Sequence, residues 1–483
     1  MRLPRAVDVL IVGAGPVGSA LAIELGVRGV RPLVVERRAT LPPPTDVRAR
    51  NLSIRTMEAA RRWGVAEALR AARPLPPGWH RGMLAVTRVA GHELLPPVGA
   101  GRELWAPSAP WATIGAEPPI DLPQYRFLRV VRERAAALGA RFVLGVEVTD
   151  LRPDATGVTV RVGDDVVGAR WLVACDGGRS RVREAVGIDR ELTTPVGHLR
   201  NLTFRLPGAF GRLGVRPGVQ FRVINHDAAG LTHPYERDRW RIAAGPLVAL
   251  DELDVHAEIA RFLGRAGLPV TEAAVTTHTI QRRTAWVYRA GRVLLAGDAA
   301  SAFPPHLGQN LNHGVADAVT LGWMLPALLA GWGGEALLDA YEHERRAASV
   351  ATGEATLRVA EAWLRVGAQA RALGPRLDDP GGRDARDALA EHVAPLLHGS
   401  ADGVLYDQRH PTSPLALPAG EPGPDFDPAH VRPSTAPGHR APHVWLAQKG
   451  LAEGGPGEDG AGGRGEDGAG GRGEGGGGRG GGG

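Results

Sequence analysis

An apolar run of strand length, Val7-Asp8-Val9-Leu10-Ile11-Val12, stops at Gly13-Ala14-Gly15-Pro16-Val17-Gly18 and resumes with helical character in Ser19-Ala20-Leu21-Ala22-Ile23-Glu24-Leu25. A second apolar run, Leu33-Val34-Val35, ends at Glu36. Strand, glycines, helix and second strand in that order predict a nucleotide-binding βαβ unit. The prolines of Leu41-Pro42-Pro43-Pro44 predict a loop, and Ser53 can cap a helix running to Trp63-Gly64. Further strands are expected over 141–148, 157–162 and 169–175, and a helix opens near Leu122 and runs through Gly139. Short strands and turns suit 79–120. Alternation in Leu202-Thr203-Phe204-Arg205-Leu206, Val219-Gln220-Phe221-Arg222-Val223 and Trp240-Arg241-Ile242 predicts antiparallel strands, and 251–263 reads as a helix. One more apolar strand, Val293-Leu294-Leu295-Ala296, delivers Gly297-Asp298, after which helical pattern dominates to about Leu397 and a proline-rich irregular stretch occupies 411–446.

Composition narrows the class. The 483 residues can hold two or three domains and bury a full core. The net charge is +5, but Lys449 is the only lysine and the arginines are scattered among acids, which is a poor footprint for nucleic acid. Cys175 is the single cysteine, so an internal disulfide and a cysteine-based metal site are excluded; it fits a reducing cytoplasm and a small buried apolar role. No metal site is expected. The most apolar helix, near Thr320 to Trp332, carries Pro326 and falls short of the roughly 20 residues that span a bilayer, so no membrane span is expected. The start, Met1 to Arg5, does not read as a signal peptide, because the apolar run after it is short and contains Asp8. The octad Gly-Glu-Asp-Gly-Ala-Gly-Gly-Arg at 457–464 recurs at 465–472 and decays into glycine, a composition expected to be disordered.

The chemistry sits at the strand ends. Gly13 permits a tight turn, Gly15 lets the backbone approach a pyrophosphate beside Pro16 and Val17, and Gly18 allows close helix-to-strand packing. The helix N-terminus then faces the phosphates. Glu36, followed by Arg37, suits ribose hydroxyls and would repel a 2′-phosphate, so the expected ligand is FAD or NAD. Asp176-Gly177 ends a third strand, where a carboxylate can accept from ribose or backbone N–H groups. Asp298, after Gly297, can take hydrogen bonds from a flavin's ribityl chain. NAD has no such polyol, which makes FAD the expected cofactor.

Three phrases carry a resemblance: Arg48-Ala49 ahead of Arg55-Thr56-Met57-Glu58; Val173-Ala174-Cys175-Asp176-Gly177-Gly178-Arg179-Ser180-Arg181-Val182-Arg183; and Gly297-Asp298-Ala299-Ala300 followed by Phe303-Pro304-Pro305-His306-Leu307-Gly308-Gln309-Asn310-Leu311-Asn312-His313-Gly314-Val315-Ala316-Asp317-Ala318. Together with Leu337 to Arg346, over about residues 5–350, they resemble the group A FAD monooxygenases, similar to para-hydroxybenzoate hydroxylase and nearest to aromatic polyketide and antibiotic-pathway hydroxylases. The resemblance implies an α/β fold, with a Rossmann-like FAD-binding domain of the GR2 type, an inserted mainly antiparallel β-sheet substrate domain and a helical C-terminal part. Expected boundaries are 1–79, 122–190 and 281–370 for the discontinuous FAD domain, 80–121 and 191–280 for the substrate domain, 371–451 for a C-terminal helical and extended segment without a full thioredoxin-like domain, and 452–483 for the tail.

It further implies that Arg48 and Gln124 lie by the flavin or the substrate mouth, and that Pro305, Gly308, Gln309, Asn310, Leu311 and Asn312 present a helix N-terminus to the isoalloxazine. Bound FAD, NAD(P)H as transient co-substrate, O₂ and a C4a-peroxyflavin would oxygenate a bulky natural-product substrate of polyketide type. No catalytic residue is named. Three departures stand out: Ser301 where the family has histidine, and Leu307 and Asn310 where it has glycine. Leu307 and Asn310 are expected to stiffen the loop that flavin movement needs. His306 and His313 are candidates for proton relay near neutral pH. Two other readings stay open: a structural flavin beside a non-redox reaction such as cyclisation, and a flavin-bound protein that sequesters a drug-like aromatic.

Overall fold

The computed structural model describes residues 3–446 apart from 47, 49, 77–78, 80–81, 99–109, 246–252 and 418–420. Ala49, much of the stretch before Ile120 and the repeat-bearing tail therefore lie outside the described residues. The chain divides into Met1–His443 and Val444–Gly483; in the second unit Val444 to Leu446 are described and have no regular secondary structure. All that follows concerns the first.

Parallel pairing organises the larger sheet. Its strands run in the order Arg289–Ala290, Val293–Leu295, Asp165–Ala174, Ala6–Val12, Leu33–Glu36, Arg141–Leu144. The last five pair parallel, and Val148–Pro153 and Val158–Val162 extend the sheet as an antiparallel hairpin off Asp165–Ala174. The central strands are buried on both faces, which explains why they read as continuous apolar runs and not as alternation. Helices α1 (Pro16–Gly26), α2 (Ile54–Arg62) and α3 (Gln124–Ala137) belong to this half. Ser53 caps α2, its Oγ accepting the Thr56 N–H at 3.3 Å. Glu24 of α1 is fully buried and ties the helices together, accepting from Trp63 Nε1 at 2.7 Å, from Arg28 at 2.5 Å and from Arg62.

A second sheet has six strands, in the order Thr271–Ile280, Gly197–Arg205, Arg239–Ala244, Ala229–Pro234, Gln220–Ile224, Met83–Val86. Every pair is antiparallel except the last. Here the period of two divides the side chains cleanly. Leu202, Phe204, Phe221, Val223, Trp240 and Ile242 pack on Ile259, Phe262 and Leu263 of α4 (Val255–Leu263). The pairs Arg222 with Leu231, Leu231 with Ala243 and Asn201 with Ala243 lie on the opposite face, as do Gln220, His233 and Arg241.

Three helices close the molecule: α5 (Gln309–Leu329), the 38-residue α6 (Ala336–Leu373) and α7 (Arg383–His398). Val366, Ala370, Leu377, Leu389 and Val393 cover Ile224 and Ala85 at the edge of the second sheet. No helix among the described residues is long and apolar enough to cross a membrane. The seam between α5 and α6 is polar. Arg345 donates through Nε to Asp317 at 2.7 Å and through Nη2 to His313 Nε2 at 3.0 Å, while Asp317 also accepts the Gly297 N–H at 2.9 Å. Tyr288 donates to Ser349 at 2.7 Å, leaving Ser349 to donate to the same His313 Nε2 at 2.7 Å. Two donors on Nε2 require a neutral imidazole, and burial first, then Arg345, hold its pKa well below the usual histidine value.

Acid should attack this seam. His313 is neutral in the fold and protonates freely in the unfolded chain, so its contribution is complete above about pH 6.5 and is lost as pH falls below it, at up to about 1.4 kcal/mol per pH unit. Unfolding by denaturant at stepped pH should show a shallower slope between about pH 6.5 and 4.5 for His313→Gln than for the unmodified chain; equal slopes would contradict the assignment.

Candidate functional site

Register fixes the site. Val35, Val12, Ala174 and Leu295 form one row across the parallel strands. Pairing persists to the last residue: Gly13 N donates to Val35 O at 2.7 Å, Cys175 N to Val12 O at 2.7 Å and Ala296 N to Ala174 O at 2.9 Å. Just beyond that row the chain places Glu36, the Gly13 to Gly18 loop, Asp176 and Asp298, all at C-terminal strand ends where open α/β sheets bind ligands.

Gly13 and Gly18 make the tight turn and the close packing that their spacing predicts. Gly13 has φ +104°, and a Cβ there would lie 2.3 Å from Cys175 O. Gly15 caps α1 with nothing within 4 Å of a would-be Cβ, leaving the helix N-terminus open to the cavity. A Cβ on Gly18 would sit 2.0 Å from Gly13 O, so Gly18 serves packing and does not line the cavity. Glu36 accepts from Ala14 N at 2.9 Å and Arg38 N at 3.0 Å. Arg132, from α3, holds Ala14 O through Nε at 2.9 Å and Nη2 at 2.5 Å.

The loop opens on a cavity of ≈ 1160 Å³. Gly13, Gly15, Pro16, Val17, Glu36, Arg37, Arg48, Gln124, Asp176, Gly177, Asp298, Pro305, Gly308, Asn310 and Leu311 all line it. Asp176 Oδ2 accepts the Val182 N–H at 3.2 Å, but Oδ1 is buried with no partner, and burial raises the carboxyl pKa. Asp298 lies deep in the protein with its side chain exposed to the cavity, so loss of bulk water raises its pKa too, opposed by Arg48. Arg48 itself is engaged with Asp46 through two hydrogen bonds, at 2.7 and 2.6 Å.

Gln309, Asn312 and Gly297 stand behind the wall. Asn312 Oδ1 accepts from Ser53 N (2.9 Å) and Thr56 Oγ1 (2.7 Å), and its Nδ2 donates to Asn51 O (2.9 Å), which pins α5 to α2. Gln309 is buried and donates to Leu307 O at 2.9 Å. Gly297 lets Val17 approach, since a Cβ there would stand 2.7 Å from Val17 Cγ2.

The two glycine replacements flank the start of α5, Leu307 in the loop before it and Asn310 in its first turn. Leu307 keeps a left-handed backbone, φ 64° and ψ −1°, which costs a non-glycine residue about 1–2 kcal/mol. Asn310 clamps Phe303 from both sides, accepting its N–H and donating to its C=O, each at 2.9 Å. The expectation for the histidines is corrected. Burial, reinforced by Arg222, pushes His306 down to about 3, and His313 is locked in the α5 seam outside the cavity, so neither relays protons near neutral pH. Cys175 lines the cavity, mostly buried, with its thiol pKa pushed up by burial, as suits an inert thiol.

The far end of the cavity was not signalled by any motif. Asn201, Gln220, Arg222, His233, Arg241 and His278 of the second sheet line it, with Trp363 of α6 and Leu396 and Leu397 of α7. Strand alternation places Arg222 and Arg241 on one face; that this face looks at a cavity is a tertiary fact.

Known proteins give this geometry its context. The chain is 32% identical over 464 residues, 92% of this chain and 78% of the relative, to a putative polyketide hydroxylase of Streptomyces halstedii. It is 32% identical over 434 residues, 86% of this chain and 83% of the relative, to dialkyldecalin synthase of Streptomyces rugosporus. Among solved structures it resembles RebC soaked with chromopyrrolic acid and holding 7-carboxy-K252c, with a TM-score of 0.78, 32% identity and coverage of 92% of this chain and 84% of that one. Residues 6–356 match the model of the FAD binding domain family, and the chain belongs to that family of FAD-dependent monooxygenases.

Proposed function

We propose that the chain oxygenates a bulky, aromatic natural product of polyketide type, with FAD held along the strand ends and NAD(P)H as transient reductant. The carrying observation is two carboxylates lining the cavity, Asp176, whose Oδ1 is buried without a partner, and Asp298, set beside a glycine cradle and an open helix N-terminus. Such groups suit a ligand with hydroxyls and a pyrophosphate, as FAD is. Glu36 would take the adenosine ribose, the Gly13 to Gly18 loop and α1 the pyrophosphate with Asp176 close by, and Asp298 the ribityl chain. Bound FAD supplies the redox chemistry that activates O₂.

The chain's own residues position and shield. Arg132 and Glu36 fix the loop, and the amino end of α5 places a positive dipole against the cavity. The second sheet roofs the remaining space, and Trp363 and the Leu396-Leu397 end of α7 exclude water from it.

A second reading has its own observation. The Asn310 clamp on Phe303 and the strained Leu307 oppose loop movement, as a structural flavin beside a non-redox cyclisation would allow. Anaerobic mixing of the yellow holoenzyme with NADPH and a panel of fused-ring aromatics separates the two. Monooxygenation requires that a substrate accelerate bleaching of the flavin; a panel that contains the substrate yet leaves the flavin oxidised sinks it. Asn310→Gly removes two hydrogen bonds of about 1 kcal/mol each and should speed that bleaching by roughly tenfold, with a small loss of thermal stability. Asp298→Ala should cut the FAD that survives gel filtration by more than roughly tenfold, read as the ratio of flavin to protein absorbance, and retention at full level would remove Asp298 from the cofactor site.

A further inference from the structure

Leu307 holds a left-handed backbone, φ 64° and ψ −1°, that a glycine would adopt without strain. Its side chain packs on an apolar cluster whose buried members are Ile54 of α2, Ile114, Leu405 and Tyr406. Half of that socket comes from the segment after α7. The short helix Asp402–Tyr406 supplies Leu405 and the fully buried Tyr406, and Val431 packs alongside. Gly399, Ser400 and Ala401 of the same segment line the cavity, as Leu307 does. The segment has little regular structure, yet it is tied down at several points. Arg440 donates to Glu58 of α2 and to Ile114 O, each at 2.7 Å, and Arg55 of α2 donates to Gln408 at 3.1 Å. Thr412 Oγ1 lies 3.0 Å from His343 Nε2 of α6, and Ser413 donates to Glu344. Within the segment His410 N donates to Gly438 O at 2.6 Å, and a Cβ on Gly438 would stand 2.2 Å from His410 O.

A strained leucine persists only where its surroundings over-determine it, and burial of the side chain against Leu405 and Tyr406 does so here. The backbone that carries Leu307 also lines the cavity through Pro305, His306, Gly308 and Asn310, so whatever holds Leu307 holds the cavity wall at the amino end of α5. The Asn310 bonds to Phe303 close this loop on itself; the socket fixes it to the rest of the chain. We propose that the segment after α7 is a strap that sets the cofactor-side loop through Leu307, and that Tyr406 is a positioning residue for FAD although it does not line the cavity. The inference rests on the reading that FAD lies along the strand ends with its ring at this loop, and it is testable without turnover.

The test is a double-variant cycle on the full-length holoenzyme, read as the rate of FAD release after dilution, followed by free-flavin fluorescence. Tyr406→Ala should speed release by roughly tenfold, and Tyr406→Phe, which keeps the ring, should stay within about twofold of the unmodified chain. Leu307→Gly removes the plug from a backbone that suits glycine and should speed release by roughly tenfold as well. With Leu307→Gly in place the ring has nothing left to hold, so adding Tyr406→Ala should change the rate by less than about twofold. Multiplication of the two effects in the double variant would make Tyr406 a packing residue only and overturn the proposal, as would release from Tyr406→Ala at the unmodified rate. Melting temperature and the flavin-to-protein absorbance ratio identify a variant that has not folded, in which case Leu405→Ala takes the place of Tyr406→Ala in the same cycle. An unmodified chain that keeps no FAD through gel filtration brings down the cofactor reading and the strap with it, whereas FAD retained with multiplicative effects removes the strap alone.

Discussion

In-register parallel pairing of Val35, Val12, Ala174 and Leu295 is the constraint on which the rest depends. Because the four strands end together, Glu36, the glycine loop, Asp176 and Asp298 emerge along one rim although nearly the whole FAD-binding region separates the first from the last. A slip in any pair would move one of these groups by a residue's rise of about 3.3 Å and turn it to the opposite face. The glycines are conditions of the same constraint: a Cβ on Gly13 meets Cys175 O, and one on Gly18 meets Gly13 O. Arg132 and Asp317 brace the rim from the helix side, through Ala14 O and Gly297 N.

The second sheet applies a different rule to the other half of the cavity. Alternation sends Phe221, Val223, Trp240 and Ile242 into an apolar core with α4, and the residues between them to the ligand side. The strand-end rim of the cavity carries Glu36, Asp176 and Asp298 together with Arg37, Arg48 and Arg179, and its roof carries Arg222 and Arg241, the latter donating to the neutral Asn201 at 2.8 Å and both lowered to about 10 by burial.

Legibility from sequence followed the locality of each signal. The strand–glycine–helix unit, the Ser53 cap, the strands before Asp176 and Asp298 and the alternating strands are set by residues within a few positions of one another, and the structure contains them. Gly18, Gly297, Gln309 and Asn312 belong to the expected motifs but serve packing and bracing, because a motif marks a turn and cannot say which of its side chains faces inward. Arg132, Arg222 and Trp363 went unremarked for the converse reason: each is an ordinary residue on a helix or strand whose importance arises from a partner more than a hundred residues away. His306 and His313 failed as neutral-pH relays because burial, which no local pattern reports, strips the proton from both.

The departures at Leu307 and Asn310 set the dynamics against the chemistry. Strain at Leu307 is tolerated beside two hydrogen bonds between Asn310 and Phe303, so the loop is held in place where the oxygenase reading needs some freedom at the flavin. Turnover under ¹⁸O₂ with NADPH and a fused-ring aromatic that accelerates flavin reduction tests the account most directly. The account predicts a product heavier by one ¹⁸O atom, formed with consumption of NADPH; a product without the label, or rearrangement of the substrate with no NADPH consumed, would contradict it.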